Sequence, residues 1–197
     1  MFRKLAVATA LMSLMSLASG TTLPPVPIEE LFREADYVLV VEITDGRTLE
    51  PAGYKCGAIY TGRVIESIKG EGDTVSFGHF HGYEIGSKYL VFLTKPDREY
   101  RPLMSTNSMA MTREQEFREK CNDVLTGARI MHSGYGVIEI TWAIPNDYKD
   151  AAKVALRYVV LPESMQTMRY VPNEGEEFDE YTWVAEKDLI DYLKELK

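Results

Sequence analysis

The chain of 197 residues has little cysteine, little histidine and a deficit of positive charge. Cys56 and Cys121 are the whole thiol complement, and no C-x-x-C redox motif is formed. Neither cysteine has a histidine within a few residues, so a locally activated thiol nucleophile is disfavoured. No G-x-S-x-G elbow, G-x-G-x-x-G turn or P-loop is present, which leaves those hydrolytic and nucleotide-binding devices unsupported. Lys and Arg total 22 against 30 Asp and Glu, a net charge of −8. Nucleic acid and anionic membrane surfaces need the opposite excess. Internal repeats, low-complexity tracts and Pro/Ser-rich linkers are also missing.

What is present begins with an export signature. Arg3 and Lys4 precede an uncharged, mostly apolar run, Leu5 to Leu17, and Ala18-Ser19-Gly20 offers small residues for cleavage before Thr21. A membrane span needs about 20 apolar residues, and this run is shorter, so a cleaved signal peptide over 1–20 is expected rather than an anchor. Cleavage removes two positive charges and no acid, taking the net charge from −8 to −10 in the remaining 177 of 197 residues. That length suits one domain, with or without an extension. A periplasmic or secreted location follows, with no membrane insertion after cleavage. Oxidising compartments favour pairing of Cys56 with Cys121, closing a loop of about 65 residues worth roughly 4 kcal/mol.

Hydrophobic patterning points to a mainly β chain of α+β class. Pro27 followed by Ile28, Leu31, Phe32 and Ala35 on one face predicts a short helix. Tyr37–Ile43 is a nearly continuous apolar run, expected as a strand buried on both faces and closed by a turn at Asp45-Gly46. Residues 56–68 read as a bent strand interrupted by Gly57 and Gly62, 74–80 as another strand with Val75 and Phe77 inward, and 87–93 as a further buried one. Thr112 with Gln115 predicts a helix over 113–124. Residues 137–144 and 154–160 alternate as half-buried antiparallel strands, and 186–196 carries an amphipathic helix.

Residues 28–93 carry a family resemblance. A short helix leads into Ala35-Asp36-Tyr37-Val38-Leu39-Val40-Val41, then Gly62-Arg63-Val64-Ile65-Glu66-Ser67-Ile68-Lys69-Gly70, Val75-Ser76-Phe77 and Ile85-Gly86-Ser87-Lys88-Tyr89-Leu90-Val91-Phe92-Leu93. This order resembles the bacterial relatives of the tissue inhibitors of metalloproteinases, netrin-like proteins built on an OB-fold barrel. The resemblance covers about a third of the chain and implies a five-stranded Greek-key barrel that presents binding surfaces. Those inhibitors chelate the target's zinc through a cysteine at the mature N-terminus. Here the expected start is Thr21-Thr22-Leu23-Pro24, with no cysteine before position 56, so that activity does not transfer. In such a barrel Cys56 and Cys121 would tie it to the helix that follows.

Three constellations remain as candidate sites. His79 and His81 share one face if their segment is extended, and Glu84 and His132 are nearby candidates to complete a metal site; the alternative is a solvated turn. Tyr83, Tyr89 and Trp142, with Tyr135, Tyr158, Tyr181 and Trp183 among others, are candidates to line a sugar or peptide groove, or to fill the core. The cluster Glu174, Glu176, Glu177, Asp179 and Glu180 is either a solvated loop or a site for a cation or basic partner, and Met104, Met109 and Met111 either an adaptable surface or packing. The expectation is an OB-like Greek-key barrel over 21–126, with a helix at each end, and a small β/α extension over 127–197. It would act as an exported non-enzymatic binding or interaction module for a protein or saccharide ligand, without a cofactor. The rival is a metal-binding protein or metalloenzyme using His79 and His81.

Overall fold

The computed structural model describes residues 24–79, 82–96, 116, 119–121, 123–124, 126–131, 135–141, 151–155, 158–170 and 181–197, the side chains of His79, Arg169 and Tyr170 excepted. In chain order the elements are β1 (Val26–Pro27), α1 (Ile28–Glu34), β2 (Tyr37–Thr48), β3 (Ala58–Lys69), β4 (Thr74–His79), β5 (Lys88–Thr94), β6 (Ala128–Ile130), β7 (Val137–Thr141), β8 (Ala151–Ala155), β9 (Val159–Val160), β10 (Met168–Tyr170), β11 (Tyr181–Ala185) and α2 (Glu186–Glu195).

Five strands close a barrel in the order β2–β3–β4–β6–β5 and back to β2, antiparallel throughout except for the parallel β4–β6 seam. Numbering those strands one to five along the chain gives the circuit 1-2-3-5-4-1, the Greek-key order of an OB-like barrel. β5 is also the branch point. β6 pairs with its end at Leu93 and Thr94, while β7 takes over the same edge at Lys88–Val91 and starts a second run, β7–β8–β11–β10. The barrel's closing strand therefore lies at 128–130, and the extension grows from the same edge only a few residues later.

The continuous apolar runs now have a physical cause. Successive residues on a strand point to opposite faces, and both faces of β2 and β5 are covered. Leu39, Val41, Ile43, Tyr89, Val91 and Leu93 pack inside the barrel with Tyr60, Phe77, Ala128 and Ile130. Val38, Val40, Leu90 and Phe92 pack on the other side against α1, α2 and the buried face of β7, β8 and β11. Each fully buried Val, Leu, Ile or Phe side chain contributes about 1.5–3 kcal/mol, so the pair of strands is anchored twice.

Polar contacts fix the two helices on this outer core. Lys69 Nζ donates to the Phe32 and Arg33 carbonyls at 2.9 and 3.2 Å, capping the C-terminus of α1. On α2, Glu186 pairs with Lys88 of β5 at 3.2 Å and Lys194 with Glu66 of β3 at 2.5 Å, while the Tyr192 hydroxyl donates to Glu29 of α1.

Two local expectations are corrected. β2 runs through Asp45-Gly46 to Thr48 instead of turning there, because the strand bulges between Ile43 and Asp45 and the Tyr60 ring lies directly over Gly46. The alternation over 154–160 is not one strand. The chain turns after β8, with the Tyr158 amide donating to the Ala155 carbonyl at 2.9 Å, and β9 pairs in parallel with β1. Tyr158 stacks on Tyr135 at this turn, and Val159 enters the outer core. Burial changes parity across this turn, from Val154 to Val159 with Val160 left exposed, a switch that the apolar period of the sequence does not reveal. Trp142, Met104, Met109, Met111, the acidic cluster at 174–180 and most of the helix expected over 113–124 lie outside the described residues.

Candidate functional site

Tyr83 and Tyr89 come together, as two of four rings at one end of the barrel. The Tyr83 ring is 4.9 Å from Tyr60 and 5.0 Å from Tyr89, centroid to centroid, and 6.1 Å from Phe77. The backbone of the 82–87 loop is tied to the same rings. The Tyr83 amide donates to the Tyr60 hydroxyl at 3.3 Å, and the Glu84 amide donates to the Tyr89 hydroxyl at 3.2 Å. The rings thus seal the barrel end and hold the loop over it, leaving Ile85 exposed at the loop tip.

Burial dominates the electrostatics here. It holds the Tyr83 phenol far above its ordinary 10.0, helped by the neighbouring Tyr60 and Tyr89 phenols. Tyr89 is raised as well, by burial first and then by the Glu139 and Glu84 carboxylates, against the opposing hydrogen bonds from the Glu84 amide and Ser87. Tyr192 is pushed up to about 12, mainly through its hydrogen bond to Glu29. A raised phenol stays neutral in the fold after it would ionise in the unfolded chain. The stability these groups contribute is therefore fully present below pH 10 and lost as pH climbs toward the folded values. In an absorbance titration at the phenolate band, the folded protein is expected to show fewer ionised tyrosines than the denatured chain at about pH 11. Superimposable curves would contradict this packing.

Beyond Tyr89 the barrel-lining face of β5 continues onto a partly accessible face of the extension. The register aligns Tyr89 with Glu139, Glu139 with Lys153, Lys153 with Trp183 and Trp183 with Met168, one row across five strands. Tyr181 stands two residues from Trp183 on the same face. Lys153 Nζ lies 4.3 Å from the Tyr181 ring centroid, 6.0 Å from that of Trp183 and 3.8 Å from the Glu139 carboxylate. None of these four side chains is fully buried, whereas Ile138, Ile140, Val154 and Val184 on the opposite face are. The face thus combines flat aromatic surface with one ammonium already held by rings and a carboxylate.

His79 ends β4 with its backbone opposite Ala58, while its side chain, His81 and His132 lie outside the described residues. Among the described residues no group of three or more His, Cys, Asp and Glu is placed to hold a metal ion. Cys56 and Cys121 form a disulfide with both residues fully buried. Sequence reading passed over Lys153 and Glu139. Each alternates with apolar neighbours, which signals an outward side chain, but only the strand order brings the two together with Tyr181 and Trp183. Among the described residues no helix is long and apolar enough to cross a membrane. Comparison with family models, curated proteins and solved structures gives no match.

Proposed function

We propose that the protein is an exported, non-enzymatic binding module that takes a protein or saccharide ligand on the partly exposed aromatic face of the sheet extension. One observation carries the reading: Trp183 and Tyr181 flank Lys153 on a partly exposed strand face continuous with Tyr89 at the sealed barrel end. Aromatic rings on rigid strands offer large contact area at low entropic cost, and central aromatics carry most of the energy in binding surfaces. Export is supported by the basic–apolar–small pattern of residues 1–20 and by the Cys56–Cys121 disulfide, a feature of oxidising compartments. The mature protein from its host's envelope is then expected to begin at Thr21.

The test is binding of the mature protein to arrays of neutral oligosaccharides and extended peptides, followed by calorimetry on any probe retained. Trp183→Ala and Tyr181→Ala are each expected to weaken that probe by about tenfold or more without changing the far-UV spectrum. Undiminished affinity in both variants would move the ligand site off this face.

A further inference from the structure

Lys153 is held more loosely than the other lysines that lie over rings. Among the described residues two others do so, Lys69 over Phe32 and Lys120 over Tyr54. Each of those is also locked by a short polar contact, Lys69 to the Phe32 carbonyl at 2.9 Å and Lys120 to Glu116 at 2.8 Å. Lys153 Nζ sits 4.3 and 6.0 Å from the Tyr181 and Trp183 centroids, and its partner carboxylate on Glu139 is 3.8 Å away, beyond hydrogen-bonding reach. The two side chains of that pair are 30% and 44% exposed, so water competes for both charges. Along β8 the neighbours of Lys153 on its own face are Ala151 and Ala155, and neither carries more than a methyl group beside the lysine stem.

With Lys153 swung away, two rings and a carboxylate surround the position its ammonium had filled. Ring faces and carboxylates both attract cations, so these groups make a cage for an alkylammonium. The charge around them has the same sense. Glu139 and Glu84 both bear on the phenol of Tyr89, the next position in the row. Lys88, just before Tyr89, points to the opposite face and pairs with Glu186 at 3.2 Å. The chain as a whole carries a net charge of −8.

On the reading of this aromatic face as the ligand surface, we propose that Tyr181, Trp183 and Glu139 receive a lysine side chain of a protein partner, and that Lys153 is the placeholder it displaces. The ligand is thereby narrowed to an extended basic segment of a protein. A tethered occupant competes at high effective concentration, and apparent affinity falls with the fraction of molecules in which the cage is vacant. Lys153 thus sets a threshold. A lone cation is held off, while a segment that also covers Trp183 and its cross-strand neighbour Met168 gains enough contact to displace the resident lysine.

The test is a nuclear magnetic resonance titration of the mature chain and its Lys153→Ala variant with the capped peptide Ser-Val-Lys-Val-Ser. Matching peptides carry norleucine or glutamate in place of the lysine. Lys153→Ala is expected to bind the lysine peptide about tenfold more tightly than the native chain, as for a placeholder that fills the cage in about nine molecules of ten. The norleucine peptide is expected to gain no more than about twofold, and adding Glu139→Gln to Lys153→Ala to remove most of the lysine peptide's gain. Absent, unchanged or weaker binding of the lysine peptide by Lys153→Ala overturns the placeholder role. An equal gain for norleucine overturns the cage, since the vacated position then takes apolar bulk and not charge. Preference of the native chain for the glutamate peptide, lost in Lys153→Ala, makes Lys153 an anion contact and overturns it as well. In each of these cases the ligand surface itself still stands if any probe, a neutral oligosaccharide included, binds in a way that Trp183→Ala weakens. Loss of that dependence for every probe removes the surface too.

Discussion

Phe92→Ala is expected to lower the unfolding free energy by about 3–5 kcal/mol, read from urea denaturation followed by far-UV circular dichroism. Phe92 is among the largest fully buried side chains and sits midway along β5, on the side facing α1 and α2. The loss combines removed apolar burial with a cavity that cannot collapse, because Val91 and Leu93 hold the same strand in the barrel interior. Typical domains are stable by 5–15 kcal/mol, so the variant would retain a small part of its stability. A cost below about 1 kcal/mol would show that this side of β5 is not covered. Phe77→Ala provides the complementary case, since Phe77 is fully buried on the barrel side only.

Gly127→Ala is expected to cost substantially more than Gly86→Ala, although both glycines have positive φ, +98° and +89°. The conformational penalty is shared, at about 1 kcal/mol for an alanine forced into the left-handed region. At Gly86 an added Cβ meets nothing within 4 Å, so that penalty is the whole effect. At Gly127 the Cβ would lie 2.5 Å from the Ser76 carbonyl oxygen and 3.0 Å from its carbon, both backbone atoms of β4. Relief requires β6, which begins at the next residue, to move off the seam. The expected cost is about 3 kcal/mol, measured as the shift in denaturation midpoint at constant slope. Equal costs for the two variants would mean that the close approach of Gly127 to β4 is absent.

Local chemistry was legible in the sequence wherever one strand or helix carried its own pattern. The twofold burial of Tyr37–Ile43, the amphipathic stripe of Leu189, Ile190 and Leu193, and the pairing of the only two cysteines follow from composition and spacing. The resemblance of residues 28–93 led to the expectation of an OB-like barrel, and the strand circuit has that order. Lys69 belongs to the stretch Gly62–Gly70 in the sequence, and its role in capping α1 needs Phe32 and Arg33 to be adjacent in space.

Tertiary structure alone decided where the extension grows. β6 and β7 share one edge of β5, and this branching carries the face that is interior in the barrel onto a partly accessible face beyond it. Tyr89 is therefore buried among other tyrosines, while Glu139, Lys153 and Trp183 in the same row are left partly accessible. A period of 2 states that alternate residues share a face. It carries no information about which strand lies beside which, because pairing between distant segments is set by backbone hydrogen bonds and shared burial across the sheet.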